Sequence, residues 1–388
     1  MIAIHDVETF TPEPAGRVDL LLAGTRVERI GPPISLPPGL ADEMCGDGLV
    51  AVPGLVDAHV HFAGGGGEGG FATRTPELDL GDAIRGGVTT VVGCLGTDGV
   101  ARSLPALLAK AFALEEEGLS TFILTGSYGV PLVTLTGSAE RDLLLIEKVV
   151  GVGELAISDH RSSQPTPAEI ARIAAEARRG GILSGKAGVV NVHLGNGPSG
   201  LAPLRHLVEE TEIPITQLLP THLNRNPSLF AEAITWALRG GWADLTTSNV
   251  PAFFAAGSVK PSCGLARMLE AGVDPSRITF TSDGQGSLPD YDDEGRLLGL
   301  DVGRVASLLE EVRDAVLVDG VPLPVALGVA TRNPARALGL ARKGVLAEGR
   351  DADVVLLRRE DLSVDTVIAR GRVLMRAGRI LAKGTFEP

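Results

Sequence analysis

Two histidines, His59 and His61, stand at the end of the apolar run GLVDAHVH. In a β-strand, alternate side chains point to the same side and lie about 6 to 7 Å apart, so both imidazoles would face one space. Imidazole nitrogens are common ligands of divalent metal ions such as zinc. Two polar residues at the end of a strand can also be merely structural, and the pair by itself leaves both interpretations open.

Three further polar residues end apolar runs, and they favour the metal. His193 ends VVNVH, His222 ends LLPTH and Asp283 ends TFTSD, so that four of the seven histidines fall at the ends of predicted strands. Imidazole and carboxylate ligands together suit a borderline ion such as zinc, and these residues are enough for two ions. Two ions about 3.5 to 4 Å apart can share a hydroxide whose pKa lies near neutrality, and Asp283 would be well placed to shuttle its proton.

Eight apolar runs of strand length alternate with helical patterns through the middle of the chain. This alternation predicts a (β/α)8 barrel, in which the carboxyl ends of the strands carry the chemistry. A doubly wound open sheet is the main rival, and we favour the barrel. The eight runs are GLVDAHVH, VTTVVGC, STFILTG, GELAIS, GVVNVHLG, PITQLLPTH, ADLTTS and ITFTSD.

The clearest helix of the barrel lies between the fourth and fifth of these runs. Thr166, followed by Pro167 and by Glu169 three residues on, has the pattern of a capping box. The helix continues through IARIAAEARR and is predicted to end at Gly180 and Gly181, because glycine often follows the last turn of a helix.

Both ends of the chain show runs with a period of two, such as VDLLLAG near the start and DADVVLLR near the end. Runs of this kind, broken by Gly and Pro, predict antiparallel strands. We therefore expect one small β-sandwich domain built from residues 1–52 and 344–388, with the barrel occupying residues 53–343.

The composition excludes several classes of protein. A chain of 388 residues with 44% hydrophobic and 21% charged residues has an ordinary globular composition, and its net charge of -13 argues against nucleic-acid binding. No apolar run approaches the roughly 18 to 20 residues of a membrane span, and MIAIHDVETF lacks the pattern of a signal peptide, so a cytoplasmic protein with no membrane partner is expected. Cys45, Cys94 and Cys263 predict neither a disulfide framework nor a CxxC metal knuckle.

Five short motifs carry a family resemblance. The run PGLVDAHVHFAGGGGEGG, with the later strand-end His, His and Asp, resembles the amidohydrolase superfamily. Its tract GGGGEGG, together with SYGVP, AISDHRS, THLNRN and SDGQGS in that order, is similar to the isoaspartyl (β-aspartyl) dipeptidase family. The resemblance covers essentially the whole chain. It implies a barrel with a split β domain, hydrolysis of a small β-aspartyl dipeptide by a metal-bound hydroxide, and a homo-oligomer.

For the metal centre, the resemblance implies two divalent ions, expected to be zinc. His59, His61 and Asp283 would hold one ion, and His193 and His222 the other. Asp283 would also be a catalytic residue, as the proton shuttle.

The resemblance implies one residue for the amino end of the substrate and one for the reacting carbonyl. Glu68 would receive the α-ammonium group, and Tyr128 would be catalytic by donating a hydrogen bond to the developing oxyanion. The glycine tract before Glu68 includes Gly66, and the backbone there is expected to approach the ligand closely.

The carboxylates of a β-aspartyl dipeptide need cationic partners, and arginine can bind both oxygens of a carboxylate. The resemblance implies that Arg225 binds the free α-carboxylate of the aspartyl half. Arg161 and Ser287 would contact the polar ends of the dipeptide, and Thr97 its main part.

One residue departs from the family pattern. Well-known members carry a carboxylated lysine on the fourth strand as the bridge between the metals, and the matching residue here is Glu154. Glutamate supplies the same charge and two oxygens with less reach. We expect Glu154 to be a metal ligand, either bridging both ions or serving only one.

Two alternatives stay open at this point. The same scaffold could act as a deacetylase or as a cyclic amidase, although Glu68, Arg161 and Arg225 favour the dipeptidase. A non-catalytic scaffold on the same fold is a third possibility, but such relatives lose metal ligands.

An acidic segment follows the last predicted barrel strand. It comprises Asp290, Tyr291, Asp292, Asp293 and Glu294. We interpret it as a solvated loop, with part of a lid as the alternative.

Overall fold

The chain begins with five strands that belong to a sheet shared with its last residues. The structure, a computed structural model, describes residues 1–249, 251–255, 257–292, 294 and 296–387, with the backbone alone at positions 251, 252 and 291. The five strands are β1 (Ile2–Phe10), β2 (Pro14–Ala23), β3 (Arg26–Gly31), β4 (Asp42–Cys45) and β5 (Leu49–Pro53).

Eight parallel strands then form the barrel. They are β6 (Leu55–Val60), β7 (Val88–Gly93), β8 (Ser120–Thr125), β9 (Val149–Ile157), β10 (Val189–Leu194), β11 (Leu218–Thr221), β12 (Ala243–Thr246) and β13 (Ile278–Thr281). The first six form one sheet and the last two pair with each other. Backbone hydrogen bonds from Leu223 to Asp244 and from Asp283 to His59 join these two sheets on both sides. The predicted eight-stranded barrel is therefore confirmed.

Helices between the strands cover the barrel with their apolar faces. In the second helix, Leu107, Ala111 and Leu114 are buried at helical spacing. Among the helices of the described residues, none combines the length and apolar character that crossing a membrane requires. The helices are α1 (Leu80–Arg85), α2 (Leu104–Glu117), α3 (Ala139–Leu145), α4 (Pro167–Ser184), α5 (Ala202–Glu210), α6 (Pro227–Leu238), α7 (Pro251–Ala255), α8 (Pro261–Glu270), α9 (Ser307–Leu317), α10 (Leu323–Ala330) and α11 (Arg332–Ala337).

Helix α4 begins where the sequence predicts and ends later. Thr166 caps it, and the capping box with Glu169 is present. The predicted end at Gly180 and Gly181 is wrong, because α4 continues to Ser184 and both glycines are buried inside it. A methyl group added at Gly180 would lie 3.0 Å from Cα of Glu140 in α3. These glycines therefore allow close packing of the helix, and Gly185, in the left-handed conformation, ends it.

The acidic segment after the last barrel strand is mostly part of a hairpin. Strands β14 (Ser287–Tyr291) and β15 (Leu297–Val302) pair antiparallel, so Asp290 lies in a strand rather than in the predicted loop. At the turn, the Asp292 carboxylate accepts hydrogen bonds from the backbone N–H groups of Glu294 and Arg296. Asp293, predicted within the same segment, lies outside the described residues.

The last strands complete the sheet that β1 begins. They are β16 (Val354–Arg358), β17 (Val364–Ala369), β18 (Arg372–Arg376) and β19 (Arg379–Ile380). The strand order is β19-β18-β17-β16-β5-β1-β2-β3, with β4 also paired to β1. The expectation of purely antiparallel pairing is wrong, since β1 runs parallel to both β4 and β5. Period-two runs specify strands but not their direction, because both kinds of strand alternate their side chains.

A buried lysine lies between this terminal sheet and the end of the barrel where its strands begin. The Lys343 ammonium is 2.6 Å from a carboxylate oxygen of Asp353 and 2.9 Å from one of Asp351. It also donates to the hydroxyl of Ser120, at the start of β8. Both Lys343 and Asp353 are less than a tenth exposed, so the two charges depend on each other.

Replacement of Lys343 by methionine should destabilise the protein strongly. The variant leaves buried carboxylates without a cation, a change that costs about 3 to 5 kcal/mol. Urea unfolding followed by circular dichroism measures the loss. Arg17→Met is the control, because Arg17 pairs with Asp6 on the surface, where the two side chains are 43% and 69% exposed; it should change stability far less. Equal losses in the two variants would contradict the buried role of Lys343.

Candidate metal centre and active site

Glu154, near the end of β9, lies in the middle of four histidines. One carboxylate oxygen is 3.3 Å from Nε2 of His61. The other is 3.3 Å from Nε2 of His59, 3.1 Å from Nδ1 of His193 and 3.5 Å from Nε2 of His222. The side chain is fully buried. The shorter reach of glutamate is therefore sufficient to approach all four rings.

Asp283 also approaches the first histidine pair, His59 and His61. Its Oδ1 is 3.1 Å from Nε2 of His61 and 3.7 Å from Nε2 of His59. His222 directly follows β11 and Asp283 lies two residues after β13, and both have positive φ angles, 64° and 55°. Such backbone conformations are uncommon for residues other than glycine and cluster at functional sites. The strand ends thus turn these side chains toward the centre at some conformational cost.

Two groups of potential metal ligands share Glu154. Within each group, the ligand atoms all lie within 4.8 Å of one another. The first group is His59, His61, Cys94 and Glu154, and the second is Glu154, His193 and His222. Nε2 of His59 and Oδ1 of Asp283 are buried and have no hydrogen-bond partner among the described residues. Buried polar atoms without partners are rare in folded proteins, so this donor set fits divalent ions.

The fields inside the cluster hold both carboxyl groups in the charged form. Burial alone would raise the pKa of Glu154, but the imidazoles of His59 and His193 outweigh it and hold the pKa well below its ordinary value. Burial also opposes ionisation of Asp283, but the neighbouring imidazoles of His61, His222 and His59 outweigh it and lower its pKa to about 2. Both groups can therefore act as anionic ligands near neutral pH.

The histidines differ in their protonation. Burial, reinforced by Arg225, lowers the pKa of His222 to about 3, so that ring is neutral. Burial also disfavours the charged form of His59, but the neighbouring Cys94 and Glu154 outweigh it and raise its pKa. A metal ion that binds His59 must therefore displace a proton.

Three of the predicted substrate residues contact the carboxylate of a fourth, Glu68. Oε1 of Glu68 accepts hydrogen bonds from the hydroxyls of Ser287 at 2.9 Å and Thr97 at 3.1 Å. Nη1 of Arg161 is 3.4 Å from the same oxygen. Oε2 of Glu68 is buried without a partner in the described chain. One oxygen of this carboxylate is thus held in place while the other remains free for a cationic donor.

Tyr128 lies beside the second metal group. Its hydroxyl is 2.8 Å from Nδ1 of His193, and the Arg161 guanidinium carbon lies 5.6 Å from its ring centre. Burial and the negative charge of Glu154 raise the pKa of Tyr128 well above its ordinary value. The phenol therefore keeps its proton and can donate it in a hydrogen bond.

Arg225 and Gly66 line the inner cavity together with Glu68 and Tyr128. Nε of Arg225 is buried without a partner among the described residues, so the guanidinium retains capacity for an anion. At Gly66, φ is +74°, and a methyl group there would lie 2.5 Å from the carbonyl oxygen of Thr73. The close approach of Thr73 therefore already requires glycine at position 66. The ligand contact that the sequence suggests would be a second reason.

A larger cavity of about 870 Å³ opens next to the inner one. The two share Arg161, Arg225, Asp283 and Ser287. Asp292 and Glu294, from the turn of the β14–β15 hairpin, lie on the wall of the larger cavity. The described part of the acidic segment is therefore next to the site rather than remote from it.

Three residues that the sequence did not single out orient the rings. Oδ1 of Asn191 is 3.1 Å from Nδ1 of His59, and the hydroxyl of Thr246 is 2.6 Å from Nδ1 of His222. Both contacts leave the opposite ring nitrogen facing Glu154. Asn191 and Thr246 lie on barrel strands with their side chains buried. For Asn191, the available signal in the sequence was its place two residues before His193 on β10.

The third missed residue is Asp159, in the motif SDHRS. Its Oδ2 lies 3.0 Å from Nε2 of His193 and 2.7 Å from Nη2 of Arg161. Burial opposes ionisation, but the bonds from His193 and Arg161 lower the pKa of Asp159 strongly. One carboxylate thus positions a candidate metal ligand and a candidate substrate ligand. Its place two residues before Arg161 is the signal in the sequence that indicates it.

Comparison with known proteins agrees with this geometry. The model of the amidohydrolase family matches residues 50–374. A crystal structure of the β-aspartyl dipeptidase from Fervidobacterium islandicum AW-1, in complex with a β-Asp-Leu dipeptide, is 48% identical, covers 100% of both chains and superposes with a TM-score of 0.93. The chain belongs to the isoaspartyl dipeptidase family of the amidohydrolase superfamily. As a member of this metal-dependent family, it is a hydrolase.

Two more distant similarities also cover nearly the whole chain. A 5-methylthioadenosine/S-adenosylhomocysteine deaminase from Moorella thermoacetica is 26% identical, with 94% of this chain and 91% of that protein aligned. The atrazine chlorohydrolase from Arthrobacter aurescens TC1, complexed with zinc, is 16% identical, with a TM-score of 0.60 over 98% and 96% of the two chains. At this identity, the chlorohydrolase supports only the fold.

Removal of the Asp159 carboxylate should weaken metal binding in this amidohydrolase. Asp159→Ala frees Nε2 of His193, and loss of such a supporting partner lowers metal affinity about 10- to 100-fold. A competition titration of the metal-free protein with zinc and a coloured chelator measures the change. Arg161→Met keeps the contact between Asp159 and His193 and should bind zinc normally. Normal zinc affinity in Asp159→Ala would show that the carboxylate serves only Arg161.

Proposed function

We propose that the protein is a binuclear metallopeptidase, with zinc as the expected metal, that hydrolyses β-aspartyl dipeptides. The observation that carries this proposal is the Glu68 carboxylate beside the metal ligands, with one oxygen held by Arg161 and Ser287 and the other buried and free. Such a group suits the free α-ammonium of an aspartyl residue. The 48% identical dipeptidase with bound β-Asp-Leu supports the same substrate class.

Six residues would hold the metals. His59, His61 and Asp283 serve one ion, His193 and His222 serve the other, and Glu154 serves both. When bound, the two ions supply an activated water and polarise the carbonyl of the side-chain amide bond.

The position of Glu154 supports the bridging role. Its two oxygens face different rings, with one next to His61 and the other next to His193. Because the carboxylate already lies 3.1 to 3.5 Å from all four histidines, no movement of β9 toward the centre is needed. A glutamate at this position also needs no carbon dioxide to become a ligand.

Asp283 is suited to move the proton. Its carboxylate is ionised, since its pKa lies at about 2, and Oδ1 has no hydrogen-bond partner among the described residues. It accepts a proton from the attacking water and passes it to the nitrogen of the leaving amino acid. Tyr128 meanwhile donates its hydrogen bond to the developing oxyanion.

The charged ends of the dipeptide determine its orientation. Glu68 binds the α-ammonium, and Arg225, whose Nε is unpaired, binds the α-carboxylate of the aspartyl half. Arg161, Ser287 and Thr97 hold Glu68 in place and complete the polar surface around the substrate. In this binding mode, the β-amide rather than an α-peptide bond would lie next to the metals.

Metal-replete protein should cleave β-Asp-Leu. Glu68→Gln should reduce kcat/KM for this dipeptide about 10- to 150-fold, because it loses a charge-assisted hydrogen bond of about 1.5 to 3 kcal/mol. Acetylation of the substrate amine should lower kcat/KM of the unaltered enzyme by a similar factor, and it should lower kcat/KM of Glu68→Gln far less. Glu77→Gln, an exposed site, is the control. Failure of the unaltered protein to cleave β-Asp-Leu would refute the substrate, and a panel of N-acyl amino acids and cyclic imides would then test the deacetylase and cyclic amidase alternatives.

Glu154→Gln should reduce bound metal from about two ions per chain to about one, because an amide offers a single uncharged oxygen. Elemental analysis of dialysed protein measures the ratio, and exposed Glu147→Gln serves as the control. Two ions in the variant would exclude the bridge. Near zero in the unaltered protein would favour a non-catalytic scaffold.

A further inference from the structure

The histidine rings of the metal centre follow a common pattern. Three of them bring one nitrogen to Glu154 while the other nitrogen contacts a polar side chain: Asn191 for His59, Asp159 for His193 and Thr246 for His222. Metal-ligating histidines usually donate their second ring N–H to such a partner, which fixes the tautomer and the orientation of the ring. His61 alone has no partner assigned so far.

Cys94 lies where that partner is needed. It directly follows β7, and its backbone N–H donates to the carbonyl of Val60 at 3.1 Å, which places it beside His61. Its sulfur lies 3.9 Å from Nδ1 of His61, while Nε2 of the same ring faces Glu154 and Asp283. The thiol is fully buried.

The hydrogen-bonding capacity of a thiol fits both of its neighbours. Its S–H points to the carbonyl oxygen of Val60, 3.9 Å away, which leaves the sulfur lone pairs for a donor. Nδ1–H of His61 is such a donor when Nε2 carries the metal. A thiol is a weak acceptor, so it holds the ring less firmly than the Asp159 carboxylate holds His193.

We propose that Cys94 is the positioning residue of His61, whose sulfur accepts the Nδ1–H hydrogen bond and so directs Nε2 to the metal. The proposal rests on the metal centre of the proposed function. It adds a fourth supporting group to that centre and assigns a role to a cysteine whose position in the sequence suggested none.

Packing is the competing explanation for this cysteine. Cys94 belongs to an apolar cluster with Val56, Ala58, Val92 and Leu124. If packing were its whole role, a buried serine would be worse than alanine, because its hydroxyl would be more costly to bury. If the sulfur accepts a hydrogen bond, serine keeps an acceptor and should be the better replacement. The order of the two variants therefore separates the two explanations.

The test is zinc competition titration of the metal-free full-length protein. Cys94→Ala should lower the affinity for one of the two zinc ions, the one held by His61, about 10- to 100-fold. Cys94→Ser should bind both ions about as tightly as the unaltered protein. Cys263→Ser, in the half-buried α8 position, is the control and should bind zinc normally. Zinc affinity unchanged in Cys94→Ala, or lowered equally in Cys94→Ser, would overturn the proposal. If the alanine variant fails to fold, Cys94→Val fills the space without an acceptor and should show the same loss.

A cobalt spectrum gives an independent readout. Cobalt bound to the unaltered protein should lack the intense sulfur-to-metal absorption of a thiolate ligand, and Cys94→Ser should leave the spectrum unchanged. A band that disappears in Cys94→Ser would make Cys94 a direct ligand and refute the positioning role. Neither titration nor spectrum uses substrate, so their outcome is distinct from a failure to cleave β-Asp-Leu.

Discussion

A single buried carboxylate, that of Glu154, determines how the site is organised. An ionised carboxylate out of water is costly unless it is surrounded by cationic or donating groups. Glu154 has four imidazoles within 3.5 Å and no exposure to solvent. Those imidazoles come from the ends of β6, β10 and β11, so the six-stranded sheet must curl for all of them to reach β9. Closure of the barrel between β13 and β6 then brings Asp283 to the same centre.

The rings are useful only if the correct nitrogen faces the carboxylate. Strand geometry determines which side of the barrel a histidine occupies but not how its ring is rotated. Rotation is set by partners such as Asn191 and Thr246, whose own positions follow from the same strands. Asp159 serves a further purpose, because it also contacts Arg161. The Asp159 carboxylate therefore links His193, a proposed metal ligand, to Arg161, a proposed substrate-binding residue.

The sequence predicts the strand ends well because two strong signals coincide there. Buried parallel strands are continuous apolar runs, and a polar residue at the end of such a run is conspicuous, as at His193 and His222. Supporting residues are harder to find, since Asn191 and Cys94 look like ordinary interior positions. The end of α4 was missed because Gly180 serves close packing against α3, a tertiary requirement that overrides the usual meaning of glycine. The parallel pairing of β1 with β4 and β5 has the same explanation, since pairing partners are set by the fold rather than by the run itself.

Glu68 and Glu154 show how surroundings give one residue type two different functions. Glu154 is surrounded by imidazoles on both of its oxygens, which suits a metal centre rather than substrate binding. Glu68 is held on one oxygen by Arg161, Ser287 and Thr97, and its other oxygen is left buried and free. A buried free acceptor is unfavourable until a donor arrives, and a small ammonium is the donor that also balances the charge. Under the proposed function, this energetic deficit at Glu68 in the free enzyme would favour a substrate with a free amine.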